Sequence, residues 1–211
     1  MISDLEHESS DAVRGSDQVT AKNLKIAGSL AMSSAFLTLP LAYLSYRLEG
    51  SGQLYANEMQ TFIQVSGTFL FVAIALYLKR FLNSLFTFHA TDKNIGLMVM
   101  GSIVTGILAI SLYSFPAFKE SLGYALIVVL VLLGIVQIEF GYKLLRLPND
   151  LGGMLKPFCY ANLATGILLA TVVLVPLSIP VSALSDLMLG TIFFNMSLNI
   201  KKQQHIKCTG G

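Results

Sequence analysis

The chain has 211 residues, 54% of them hydrophobic and only 12% charged, against about 25% charged in soluble domains. Its net charge of +2 is scattered over short loops and not gathered into a basic stripe. Together these exclude an ordinary soluble domain and a nucleic-acid partner, and make the lipid bilayer the first partner to consider.

Within the segment 1–23, residues 1–20 carry Asp4, Glu6, Glu8, Asp11 and Asp17 against Arg14. That is the reverse of a basic signal-peptide n-region, so the segment is expected to be a disordered acidic tail and the first apolar stretch an uncleaved anchor. Six apolar stretches follow, at 24–46, 57–78, 94–116, 121–145, 157–178 and 180–200. Each approaches the ~20 residues that a helix needs to cross a ~30 Å hydrocarbon core. Residues 203–211 form a second tail, ending in Cys-Thr-Gly-Gly, which is not a prenylation box.

The basic residues sort between alternate stretches. Arg14, Lys22 and Lys25 precede the first; Lys79, Arg80 and Lys93 separate the second and third. Lys143, Arg146 and Lys156 separate the fourth and fifth, and Lys201, Lys202 and Lys207 follow the sixth. Only Arg47 and Lys119 fall on the other side. Short basic loops stay in the cytoplasm, so both termini are expected there. The expected fold is an all-α integral membrane protein with six transmembrane helices, built as three tandem inside–outside–inside hairpins at 24–80, 94–147 and 157–202.

Sequence features recur with the hairpins. The odd stretches carry small or polar residues four apart: Ser29/Ser33, Ser102/Gly106 and Asn162/Gly166. Such pairs share a helix face and let a neighbouring backbone come close. Each odd stretch then meets a proline, Pro40, Pro116 or Pro176, which ends or kinks a helix. In the even stretches Gly67, Gly134 and Gly190 each stand 12 residues before a basic residue, which puts each glycine near mid-membrane. These glycines and small residues are the expected helix-packing positions.

The loops differ. Gly50-Ser51-Gly52 marks a turn in the long link between Arg47 and Glu58. Pro148-Asn149-Asp150 with Gly152-Gly153 marks another, and Pro157 opens the fifth helix. The apolar loop 80–93 is either an interfacial helix or a continuation of the second helix.

Ionisable side chains inside a bilayer are costly and are functional candidates by default. Two acids qualify, Glu139 in the fourth stretch and Asp186, six residues into the sixth, with Gln137, Asn162 and Asn195 as polar company. Glu139 and Asn195 each follow a repeat glycine by five residues, so under the repeat they face a common interior. A snorkelling ion pair of Glu139 with Lys143 also accounts for that acid, a proton or cation role being the alternative. Asp186 is either an anchor near a helix start or part of a transport path.

No HExxH, GxSxG, P-loop or dinucleotide fingerprint occurs, so no catalytic residue, cofactor or enzymatic activity is expected. His7, His89 and His205 and the two cysteines, Cys159 and Cys208, show no metal-ligand spacing, and all lie on the reducing side, where a disulfide is not expected.

Three hairpins, the proline before each outer loop and the stretch Gly101 through Leu145, with Tyr124-Ala125-Leu126-Ile127 and Gly134, resemble the HdeD-type acid-resistance membrane proteins. The resemblance implies a small bacterial inner-membrane protein linked to stress tolerance, with no catalytic residues to carry over. The expected role is accordingly an accessory protein acting through helix–helix contacts. Two alternatives are a small-solute or proton carrier using Glu139, Asp186, Asn162 and Asn195, and a subunit of a larger membrane complex or homo-oligomer.

Overall fold

Without water, backbone amides and carbonyls must pair within their own segment, and long apolar runs satisfy that by forming helices. The computed structural model describes residues 20–49, 55–147 and 151–209, and it is all-helical there. The helices are α1 (Ala21–Glu49), α2 (Ala56–Phe86), α3 (Asp92–Ser114), α4 (Lys119–Leu144), α5 (Leu155–Ala170) and α6 (Val175–Thr209). Single 3-10 turns lie at Pro116–Phe118 and Leu151–Gly153. Five of the six, all but α5, are long and apolar enough to cross a membrane. Most of the acidic tail and the turns at 50–52 and 148–150 fall outside the described residues.

The fifth and sixth helices depart from the sequence reading. The fifth apolar stretch was expected to run to 178, with Pro176 near its end. Instead α5 stops at Ala170 after 16 residues, about 24 Å. The chain turns through Thr171–Leu174, with Val172 at a left-handed φ of 56°. Pro176 then stands in the first turn of α6, where its missing N–H leaves no helical bond unmade. The run Thr171-Val172-Val173 is β-branched and gives the break a weak helix former to fall on. Asp186 consequently lies eleven residues past the start of α6, roughly 16 Å, and not six.

Pro40 does not end α1, which continues through it to Glu49. Helix α2 likewise runs on past its basic pair, to Phe86, and closes with Thr87 in the left-handed region (φ 48°). There the Thr87 amide donates to Asn83 O and the Phe88 amide to Leu82 O, at 3.2 and 3.3 Å, the first being the bond of an αL-type helix end. Phe81 and Leu82 are fully buried, so this part of loop 80–93 belongs to the core.

Each helix packs against the next in sequence, and α6 returns to α1, closing a six-helix ring. Asn83 Nδ2 donates to both carboxylate oxygens of Asp92 (2.9 and 3.0 Å) and ties α2 to α3. Ser197 Oγ donates to Ala21 O at 2.8 Å and ties the end of α6 to the start of α1. Ten basic residues from Lys22 to Lys202 thus gather at one end of the ring, hereafter the basic end.

Two glycine crossings set the closest approaches. A Cβ on Gly134 would stand 2.6 Å from Gly166 O, and one on Gly166 would stand 2.8 Å from Gly134 O, so α4 and α5 meet backbone to backbone. A Cβ on Gly190 would stand 3.2 Å from Gly28 O, at the crossing of α1 and α6. Gly106 sits against the Thr68 side chain on α2, at 3.0 Å by the same measure.

Three expected packing positions are elsewhere. Ser29 and Ser33 are exposed, because the buried ridge of α1 is Leu24, Ala27, Ala31 and Ala35, on the opposite face. Gly67 has nothing within 4 Å of where a Cβ would be and borders an opening between α1 and α2.

Candidate functional site

Packing fills the basic half of the ring with large apolar side chains. Phe81, Phe140 and Phe193 are fully buried there, with the Phe81 and Phe193 rings edge to face at 5.4 Å. Leu144, Ile192 and Leu24 complete an apolar plug.

The other half is a chamber. A cavity of about 280 Å³ receives a polar side chain from every helix: Thr38, Gln64, Ser102, Gln137, Thr165 and Ser182, on α1 to α6 in turn. It adjoins a cleft of about 380 Å³ between α1 and α2, which runs from Ser34 past Gly67 to Ser45, toward the end opposite the basic one. Phe71 borders both spaces and also a third, of about 50 Å³, beneath them. The walls of that lowest compartment are apolar except for Asn162, Ser185 and Asp186.

Hydrogen bonds hold this floor together. Ser34 Oγ donates to Asp186 Oδ2 at 2.8 Å, across the α1–α6 contact. Asn162 Nδ2 donates to Ser185 Oγ (2.9 Å) and to Phe158 O (3.0 Å), and Gln137 Nε2 donates to Asn162 Oδ1 (3.3 Å). Four helices are joined through side chains at mid-bundle, where an unmade polar contact would be costly.

Three of the hydroxyls that line the chamber have committed their protons. Thr38 donates to Ser34 O (2.7 Å), Thr165 to Ala161 O (2.9 Å) and Ser178 to Val175 O (2.6 Å). A hydroxyl bonded in this way offers only lone pairs to a visitor. Thr105 Oγ1, on the chamber wall, is buried and has no partner.

The sequence candidates therefore divide. Gln137, Asn162 and Asp186 come together at the floor, with Ser102 on the chamber wall. Glu139 does not join them: its side chain is 53% exposed and accepts from Lys143 Nζ at 2.7 Å. Lys143 Nζ also donates to Asn94 Oδ1 (2.9 Å), so the pair anchors α4 to α3. Asn195 is exposed too. The expectation that Glu139 and Asn195 face a common interior is thus corrected. Each stands two residues, about 200° of helical turn, from an inward residue, Gln137 or the buried Phe193.

Ser34, Ser185, Gln64 and Phe71 were missed by the sequence reading. Single hydroxyls and aromatics are common in membrane helices, and only the position of Ser34 within a Ser33-Ser34 pair gave any signal. Among the described residues no three histidine, cysteine or acidic side chains stand close enough to hold a metal ion. Cys159 is a buried free thiol. No family model matches the chain, and no curated protein or solved structure matches it either.

Proposed function

We propose that this protein is a membrane carrier for a small polar solute, with the chamber as its binding site. The observation that carries the reading is one cavity to which all six helices contribute a polar group, floored by a carboxylate and sealed at one end by aromatics. Solute sites of transporters lie near mid-membrane at the meeting of several helices, with polar groups that would be expensive in lipid. The hydrogen bonds of Asp186 and the two amides also join helices, but joining helices does not require the void left beside them.

In this reading the basic residues at one end support six spans in three hairpins with both termini cytoplasmic, and the HdeD-type resemblance suggests a bacterial inner membrane. In that orientation the chamber opens outward and the plug faces the cytoplasm. The short α5 crosses with the help of the Thr171–Leu174 turn.

The test is uptake of a panel of small polar solutes by proteoliposomes. Saturable uptake that is lost in Asp186→Asn and kept in Glu139→Gln is expected. No uptake by folded protein, or equal loss in both variants, would remove the reading.

A second reading has one observation in its favour: Ser29 and Ser33 leave a small-residue stripe on the outside of α1. Such a stripe suits a neighbouring helix, as in an accessory role or a homo-oligomer of the kind the HdeD-type resemblance suggests. A cysteine at position 29 should then crosslink between chains in native membranes; its remaining monomeric would exclude that contact.

A further inference from the structure

We infer that the chamber binds a solute bearing a primary ammonium group, which docks on Asp186 in the lowest compartment while the rest of the molecule lies above it. The inference rests on the carrier reading for transport, but not for binding.

The charge balance is one-sided. Among the described residues, Asp186 is the one ionisable side chain bordering the chamber, the cleft or the lowest compartment, and no lysine, arginine or histidine borders any of them. Its hydrogen-bond partner among the described residues is Ser34, a neutral donor. A carboxylate held at mid-bundle without a cation is complemented by a ligand that brings one.

Several polar groups here present acceptors, beside the Ser102, Thr105 and Ser182 hydroxyls and the Gln64 amide, which can turn either a donor or an acceptor to a visitor. Thr38, Thr165 and Ser178 donate to their own helices, and both Asn162 donors are used. What remains at these positions is acceptors. A primary ammonium carries three N–H donors and no acceptor, which is the matching pattern; a quaternary ammonium carries no N–H donor at all.

Size separates the two parts of the ligand. About 50 Å³ beneath Phe71 holds a group little larger than a water molecule. The 280 Å³ above admits a body of several heavy atoms. The Phe71 ring borders both, where an aromatic neighbour favours a cation further. Because no basic side chain among the described residues faces the chamber, a carboxylate on the ligand finds no cationic partner there, and amines are favoured over amino acids.

The test is isothermal titration of the full chain in detergent with ethanolamine, choline, ethylene glycol and β-alanine. Ethanolamine should bind at least tenfold more tightly than the other three, and at least tenfold more weakly to Asp186→Asn. Should that variant fold poorly, Ser182→Cys supplies a second readout. Ethanolamine, and not ethylene glycol, should then slow maleimide labelling of that cysteine. Ethylene glycol or choline binding as well as ethanolamine, absence of any binding, or unchanged affinity in a folded Asp186→Asn would each overturn the inference. Asp186-dependent ethanolamine binding without uptake would remove the carrier reading and leave the site. Asp186-independent uptake of the diol would remove the site and leave solute movement.

Discussion

The basic half of the ring and the opposite half are built from the same six helices but filled differently. Toward the basic end, phenylalanines and leucines pack together between the helices. Toward the other end the same helices turn hydroxyls and amides inward and leave a void. Asp186 sits at the boundary, and Phe71 is shared by both sides of it. The difference teaches that one half holds the bundle together while the other is kept open against the tendency of side chains to close-pack.

Substitutions at two repeat glycines break that comparison most directly. Gly134→Leu drives a side chain into the backbone of α5, whose Gly166 O and Ala170 N would lie 2.6 and 2.8 Å from the new Cβ. A loss of about 3 kcal/mol or more is expected, as for severe overpacking, read from unfolding in detergent. A Cβ at position 67 meets no neighbour, so Gly67→Leu should not destabilise the bundle. Its side chain should nevertheless obstruct the cleft and slow solute entry. Equal destabilisation by the two would mean that the α1–α2 opening is closed by packing.

Next in size is Phe81→Ala in the plug. Removing a fully buried ring that packs on Phe193 should cost about 3 kcal/mol. It should also raise passive leak of small solutes through liposomes. A destabilised variant with unchanged leak would assign the seal to Phe140 and its neighbours instead.

The smallest effects are expected on the outer surface. Glu139→Gln breaks a largely exposed pair whose cation keeps a second partner in Asn94, and Asn195→Ala removes an exposed amide. Neither should measurably change melting temperature or solute binding. A loss of binding in Glu139→Gln, with normal folding, would show that the outer acid communicates with the chamber.

Much of the architecture was legible in the sequence. Length and hydropathy mark where helices lie, and five of the six apolar stretches appear as helices long enough to span. The Gly134 and Gly166 positions were readable because a residue without a side chain is the only kind that permits such an approach. The α5–α6 boundary was misplaced because a proline late in one helix and a proline early in the next look alike in an apolar run. Their hydrogen-bonding consequences differ only once the chain has turned.

The sequence by itself determined the helices, the gathering of basic residues and the scarcity of membrane acids. Local chemistry suffices for these: backbone pairing, and the cost of charge in hydrocarbon. Only the tertiary structure decided which acid faces inward. A helix that is apolar all round gives periodicity no face to mark, so Glu139 and Asp186 were equivalent candidates until their neighbours were known. Closure of α6 on α1 placed Ser34 against Asp186, and the packing of α4 on α3 and α5 left Glu139 outside with Lys143.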